Sequence, residues 1–363
     1  MVRKNIHRIL AVTLVCVLMM SLSVSAFACS GMELTSKEGD AYWFRTCDMN
    51  DMYNVFGEKG SYIACSSLMS YPADVPIAFY TGEIAPKYSI IGTSFSNSYA
   101  LLDGMNSAGL CGGLLMFDEG TSYPEDEAPE GYKMFASMEG VTWILSQCAD
   151  VKEVKELMET TVVKAIELPG IPGSGLSATM HLMFTDKTGA SIVLENSDPE
   201  HPGEYTIYED CNGVMTNSPL YSTHLEDYKA YIDAGEDGVI PSGDDSSSRF
   251  VRLSAQRDSI DGGKTIAGSE MLTVGSMQMA RVTRPLVTSD PFVEGSYTMY
   301  TVAYDIADGT MYMRPYDTVV WTSLSFDNIP SDAQGAFEIF RGESTGILTA
   351  ELNDPAEEVQ TAA

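Results

Sequence analysis

Alternation of apolar and polar positions marks three hairpins along the chain. Met32-Glu-Leu34 and Tyr42-Trp-Phe44 flank the polar segment Lys37-Glu-Gly39-Asp40. His181–Thr185 and Ser191–Glu195 flank Asp186-Lys-Thr-Gly189, and Tyr300–Tyr304 and Met311–Met313 flank Ile306-Ala-Asp308-Gly309. Short apolar runs separated by Gly- and Asp-containing turns read as paired antiparallel strands. Between them the period changes to 3.6. Val151, Val154, Leu157/Met158 and Val162 share one helical face, with Asp150 as N-cap. Further helices are expected over Leu220–Ala234, over Ser247–Ile260, and from a cap at Ser269 through Val282. Hairpins in blocks with helices, rather than alternating strand–helix–strand units, give an α+β protein.

The N-terminus follows another rule. Met-Val-Arg-Lys-Asn-Ile-His-Arg precedes a mostly apolar run from Ile9 to Val24, then Ser25-Ala26-Phe27-Ala28. A basic start, an apolar middle and an Ala-x-Ala end form a secretory signal peptide, expected over residues 1–28. No later segment approaches the roughly 18 consecutive apolar residues that cross a bilayer, so no stable membrane anchor is expected. Residues 29–350 then form a single domain, and the polar segment 351–363 a flexible tail. The expected location is outside the cytoplasm, secreted or periplasmic.

Charge removes whole classes of partner. The 363 residues carry 51 acidic side chains against 21 Lys and Arg, a formal net charge of -30. Without Arg3, Lys4 and Arg8 the balance is 18 against 51, or -33. Such a chain lacks the basic face that neutralises phosphates, which argues against nucleic acid and against an anionic membrane surface. The sequence has no His-Glu-x-x-His, no zinc spacing, no P-loop and no dinucleotide fingerprint, and no cofactor or metal is expected. Gly170-Ile-Pro-Gly173-Ser-Gly175 lacks a phosphate-binding Lys and reads as a loop.

The expected cut exposes Cys29, which has three readings. A lipid-modified N-terminus is one, although Ala26 and Phe27 fit that processing signal poorly. A buried or disulfide-bonded cysteine is another. A catalytic N-terminal nucleophile is the third: a free α-amine titrates near about 8 and can take the thiol proton, then return it to a leaving amine. That chemistry needs no catalytic His, in a chain whose expected mature part holds only His181, His201 and His224. The remaining cysteines, Cys47, Cys65, Cys111, Cys148 and Cys211, are spread without a framework spacing.

Read from Cys29, the stretch Cys-Ser-Gly-Met-Glu-Leu-Thr-Ser-Lys-Glu-Gly-Asp-Ala-Tyr-Trp-Phe-Arg-Thr-Cys-Asp resembles the start of the choloylglycine hydrolase family, which holds bile-salt hydrolases and penicillin V acylases. The resemblance continues in Asp103–Leu110, Trp143–Ala149, His181–Glu195, Gly213–Pro219 and Ser247–Arg252. It implies the N-terminal-nucleophile fold, an αββα four-layer sandwich of two antiparallel sheets flanked by helices. It also implies Cys29 as nucleophile, Arg45 and Asp48 holding its thiol and amine, Arg249 adding charge, and Asn217 donating to an oxyanion. A homotetramer is implied by the same analogy.

Each of these residues has an ordinary alternative: a surface ion pair for Arg45 and Asp48, an exposed helix-start charge for Arg249, an Asx turn for Asn217. Met116 stands where bile-salt hydrolases carry Asn and penicillin V acylases often carry Tyr. Its side chain has no N–H to donate, so only its backbone is an oxyanion candidate. The resulting expectation is an exported cysteine amidohydrolase acting on a small-molecule acyl amide. Conjugated bile salts come first, then penicillin V or an N-acyl homoserine lactone. A secreted or lipid-anchored binding protein of the same fold is the rival.

Overall fold

The turn at residues 36–40 sets the first register of the fold. Ser36 N–H donates to the Asp40 carbonyl, Asp40 N–H donates to Ser36 Oγ, and Gly39 takes φ +99°, a region costly for any side chain. The turn joins β1 (Ser30–Thr35) to β2 (Ala41–Met49), antiparallel from Thr35 opposite Ala41 to Ser30 opposite Thr46. One step further, Ala28 N–H donates to the Asp48 carbonyl at 3.1 Å. In an antiparallel ladder bonded and non-bonded pairs alternate, so Cys29 and Cys47 face each other as a non-hydrogen-bonded pair. Alternation also sorts β2: Trp43, Arg45 and Cys47 share one face, and Phe44, Thr46 and Asp48 the other.

The computed structural model describes residues 28–49, 66–95, 98–117, 119, 121, 123, 128–164, 179–209, 211–284, 297–316, 318–330, 333–337, 339 and 346–349. Expectations for residues 1–27, for the loop at 170–175 and for the tail 351–363 lie outside them. Five strands follow the first hairpin: β3 (Ser66–Tyr71), β4 (Ile77–Phe79), β5 (Gly82–Ile84), β6 (Ile90–Phe95) and β7 (Asp103–Asn106). Next come β8 (Leu110–Met116), β9 (Lys133–Ala136), α1 (Gly140–Leu145), α2 (Val151–Met158) and β10 (Thr161–Lys164). The middle of the chain holds β11 (Met180–Asp186), β12 (Ser191–Glu195), β13 (Thr206–Tyr208), β14 (Val214–Met215), α3 (Tyr221–Asp233), α4 (Ser246–Ser259) and α5 (Gly268–Ala280). The chain closes with β15 (Tyr297–Asp305), β16 (Thr310–Pro315), β17 (Val320–Ser325), β18 (Gly335–Phe337) and β19 (Gly346–Thr349).

Two large sheets result, ordered β14-β1-β2-β15-β16-β17-β19 and β13-β12-β11-β8-β7-β6-β3-β18. Helices α4 and α5 lie against the first sheet, while α1 and α2 lie against the second. This is the four-layer αββα sandwich. Phe44 faces α5, where Gly275 leaves room for its ring; Trp43 faces the second sheet, where Gly113 does the same. Strands covered on both faces bury nearly every residue, as β1, β11 and β15 do.

All three expected hairpins form. Helix α2 is capped by Asp150, whose carboxylate accepts Glu153 N–H at 2.9 Å, but it ends at Met158 instead of reaching Val162. Thr161-Val-Val-Lys164 is a β-branched run that pairs in parallel with β9, so strand packing overrides the helical period. Helix α5 starts at Gly268 without a Ser269 cap; Glu38 supplies the acceptor for Gly268 N–H from the β1–β2 turn. Helix α3 likewise has no cap of its own, and buried Glu195 accepts Tyr221 N–H.

Candidate active site

Cys29 sits one residue before β1, buried, where β1, β2, β14 and α4 meet. Its backbone nitrogen donates to Asn217 Oδ1 at 2.7 Å, and its carbonyl accepts from Arg249 Nη1 at 2.7 Å. Arg45 Nη2 lies 3.5 Å from Cys29 Sγ. Arg45 reaches the sulfur along the inner face of β2 and is aimed from the opposite sheet. Its Nη1 donates to Asp103 Oδ2 and to the Leu102 carbonyl, both at 2.7 Å. Tyr304 and Tyr300 hydroxyls also reach the Asp103 carboxylate, so three donors hold Asp103 in place and Asp103 in turn orients Arg45.

These neighbours set the state of the thiol. The Cys47 thiol, opposite Cys29 in the ladder, donates to its sulfur. That bond and the Arg45 cation outweigh the cost of burial and hold the Cys29 pKa down to about 5. Cys47 moves the other way. Burial and the adjacent Cys29 push its thiol well above the ordinary range, so Cys47 stays protonated and Cys29 is the thiolate at neutral pH.

Asp48 belongs to the outer face of β2, close enough to Arg249 and Cys29 to interact with the charge of each. Its Oδ1 accepts from Thr298 Oγ1 at 2.6 Å, and the same hydroxyl accepts Arg284 N–H at 2.8 Å. The β2–β15 ladder shifts register between Thr298 and Tyr300, and this bulge puts the hydroxyl at the carboxylate. Asp48 Oδ2 is buried with no hydrogen-bond partner. Burial raises the Asp48 pKa to about 7, against the pull of Arg249.

Asn217 follows β14 and is oriented by all its polar atoms. Oδ1 accepts from Cys29 N–H and from Arg249 Nη2 (3.0 Å), while Nδ2 donates to the Met116 carbonyl at 2.9 Å. The flipped amide would set two donors against its NH2 group and one carbonyl against its oxygen. Behind it, His224 Nε2 lies 2.7 Å from the Asn217 carbonyl. Arg249, in the first turn of α4, is buried and also donates to Ser30 Oγ and to the Asp244 carbonyl.

The six residues singled out in sequence, Cys29, Arg45, Asp48, Met116, Asn217 and Arg249, therefore meet around one sulfur and one backbone nitrogen. Met116 differs in how it takes part. What it presents to Asn217 is its carbonyl oxygen, an acceptor, so it anchors the amide of Asn217. Cys47, Asp103, Thr298 and His224 escaped sequence reasoning as site residues. Asp103 carried a local signal, as the first residue of Asp-Gly-Met-Asn, and Cys47 one in the register of the first hairpin. Among the described residues no three His, Cys, Asp or Glu side chains converge as a metal site, and no helix is long and apolar enough to cross a membrane.

Comparison with known proteins adds the family. A bile salt hydrolase/transferase of Clostridium perfringens is 28% identical over 210 residues, which cover 56% of this chain and 57% of that protein. The match thus spans little more than half of that relative's length. The bile salt hydrolase/transferase of Lactiplantibacillus plantarum is 28% identical over 305 residues, 76% of this chain and 90% of that one. A penicillin V acylase of Pectobacterium atrosepticum is 29% identical over 196 residues, 52% of this chain and 50% of the relative. Among solved structures, a variant of the C. perfringens conjugated bile acid hydrolase superposes with TM-score 0.70 at 21% identity, covering 87% of this chain and 98% of that one. Penicillin V acylase from Agrobacterium tumefaciens gives TM-score 0.70 at 18% identity, over 90% and 98% of the two chains, a likeness of fold. The sequence profile of the choloylglycine hydrolases matches residues 29–337, beginning at the buried cysteine itself, and the chain belongs to that family of linear amide C–N hydrolases.

Proposed function

We propose that this protein is an exported cysteine amidohydrolase, made active when removal of residues 1–28 turns the Cys29 peptide nitrogen into a free α-amine. The observation that carries the reading is the surroundings of Cys29. A cation and a thiol donor face its sulfur, an amide oxygen accepts from its nitrogen, and the Asp48 carboxylate, one oxygen of which has no partner, is close enough to interact electrostatically with Cys29. Asp48 Oδ2 is a buried acceptor of the kind an ammonium group satisfies. The same charge would draw the Asp48 pKa below about 7 and keep it ionised.

In this reaction the Cys29 thiolate attacks the amide carbonyl, and the tetrahedral oxyanion takes a hydrogen bond from Asn217. One amide proton of Asn217 is held by the Met116 carbonyl, leaving the other for substrate. The intermediate collapses, the C–N bond breaks, and the α-ammonium gives its proton to the leaving amine. Water, deprotonated by the same amine, then attacks the thioester, and collapse of the second intermediate releases the carboxylic acid and restores Cys29. Arg249 holds the Cys29 carbonyl and the Asn217 oxygen, keeping nucleophile and donor in one frame.

Conjugated bile salts are the first substrate class in this reading, supported by the bile salt hydrolases among its relatives. Amine release is measured from glyco- and tauro-conjugated bile salts, penicillin V and an acyl homoserine lactone, with the processed protein beside Cys29→Ala. The expected result is turnover of one class, highest for the bile salt conjugates and absent in the variant. Silence across the panel from protein shown to begin at Cys29 would discard these substrates. Turnover that survives Cys29→Ala would discard the nucleophile.

A further inference from the structure

Cys47 is not among the residues that the reaction above requires for bond making, yet it sits opposite the nucleophile. The ladder fixes the relation: Ala28 bonds Asp48 and Ser30 pairs with Thr46, so Cys29 and Cys47 are direct cross-strand partners on the same face. The backbone nitrogen and carbonyl of Cys29 are engaged by Asn217 and Arg249, which agrees with a non-hydrogen-bonded pair. In such pairs the Cα atoms lie about 4.5 Å apart. That falls inside the separation a disulfide spans, roughly 4.4–6.8 Å, and both side chains project from one face of the sheet. Both residues are buried, at 3% and 1% exposure, among side chains that hold them in place.

We propose that Cys47 is a resolving cysteine: under oxidising conditions it captures the oxidised nucleophile as a reversible Cys29–Cys47 disulfide, which switches the hydrolase off and spares it from irreversible oxidation. The proposal rests on the reading of Cys29 as a reactive thiolate. The oxidant is a small hydroperoxide. The Cys29 thiolate takes its terminal oxygen, the O–O bond breaks, and the remainder leaves as water or alcohol after gaining a proton. The Cys47 sulfur then attacks the sulfenic sulfur; the S–S bond forms, the S–O bond breaks, and the departing hydroxide leaves as water with the Cys47 proton. The two sulfurs have lost two electrons and the peroxide has gained them. A dithiol reverses the step by thiol–disulfide exchange.

The other described cysteines do not compete. Burial raises Cys111 well above the ordinary thiol range, pushes Cys148 up to about 12, and raises Cys211, so each stays a protonated and unreactive thiol. Cys29 alone among them is shifted down. The first oxidation is thereby directed to the one sulfur that has a thiol facing it.

The test treats processed protein with excess hydrogen peroxide, blocks free thiols, and maps the digested peptides by mass. The expected product is a peptide pair joined through Cys29 and Cys47, about 2 Da lighter than the two reduced peptides, with turnover recovered on adding dithiothreitol. In Cys47→Ser the expected product is Cys29 heavier by about 32 Da, the sulfinic acid, with no recovery. Wild-type protein that carries sulfinic Cys29 and no joined pair would overturn the proposal, and this reading stands even if the variant fails to fold. Failure of iodoacetamide to label Cys29 in untreated protein would instead remove the thiolate on which both readings depend.

Discussion

Two opposed thiols on adjacent strands give Cys29 its chemical character. Cys47 is held protonated and Cys29 ionised, so reactivity of Cys29 rises as pH climbs through about 5 and is nearly full by neutral pH. Alkylation rate against pH reads this directly: a midpoint near 5 is expected, moving toward the ordinary thiol value in Cys47→Ala, which removes the donor, and in Arg45→Met, which removes the cation. A midpoint near 9 in the unaltered protein would contradict the assignment. Asn217 makes a second, separable contribution. Asn217→Ala deletes the proposed oxyanion donor while leaving the sulfur in place, and kcat is expected to fall by about 10²- to 10³-fold with little change in the alkylation midpoint. Equal loss of both would mean that the asparagine acts by holding Cys29 in position. The spacing of Cys29, Arg45 and Asp48 was readable in the chain. Thr298 was not, because it meets Asp48 only through the bulge in the β2–β15 ladder. Cys47 lay within reach, since a turn that pairs Thr35 with Ala41 also pairs position 29 with 47.

At the level of elements, β2 is the member on which the molecule is assembled. One face offers Arg45 and Cys47 to the sulfur, and the other carries Asp48 and Phe44, whose ring fills a notch in α5. A Cβ built on Gly275 would lie 2.1 Å from the Phe44 ring, which is wholly buried and has nowhere to retreat. In an exposed helix Gly→Ala gains up to about 1 kcal/mol. Here overpacking wins, and Gly275→Ala is expected to cost about 1–3 kcal/mol in urea unfolding. A gain in stability would show that α5 is free to shift away from the sheet. What was legible at this scale was local. The hairpin turns carry Gly39, Gly189 and Gly309 at positive φ, and Asp150 caps α2 as its position suggests. Val162 was misleading because its periodic spacing continues the α2 stripe while its β-branched neighbours pair with β9, 28 residues earlier in register. Long-range pairing of that kind leaves no trace in a short window.

Across the whole molecule, charge and sheet spacing act at different ranges. With a formal charge of -30, surface repulsion opposes the compact state, and salt relieves it by shortening the Debye length from about 30 Å at 0.01 M to about 8 Å at 0.15 M. Melting temperature is therefore expected to rise over that range of sodium chloride; a flat response would mean that the acidic side chains are spaced too widely to repel. The distance between the two sheets is set in another way, at a glycine. Gly113 accepts the edge of Trp43 from the opposite sheet, where a Cβ would come within 2.6 Å. Arg45, two residues along from Trp43 on the same face, reaches across to Asp103 to take its aim at the Cys29 sulfur. The gap between the layers thus works as a gauge for the reaction: a side chain added far from any substrate, wide enough to wedge the sheets apart, would lengthen the Arg45 bridge and detune the sulfur without touching it.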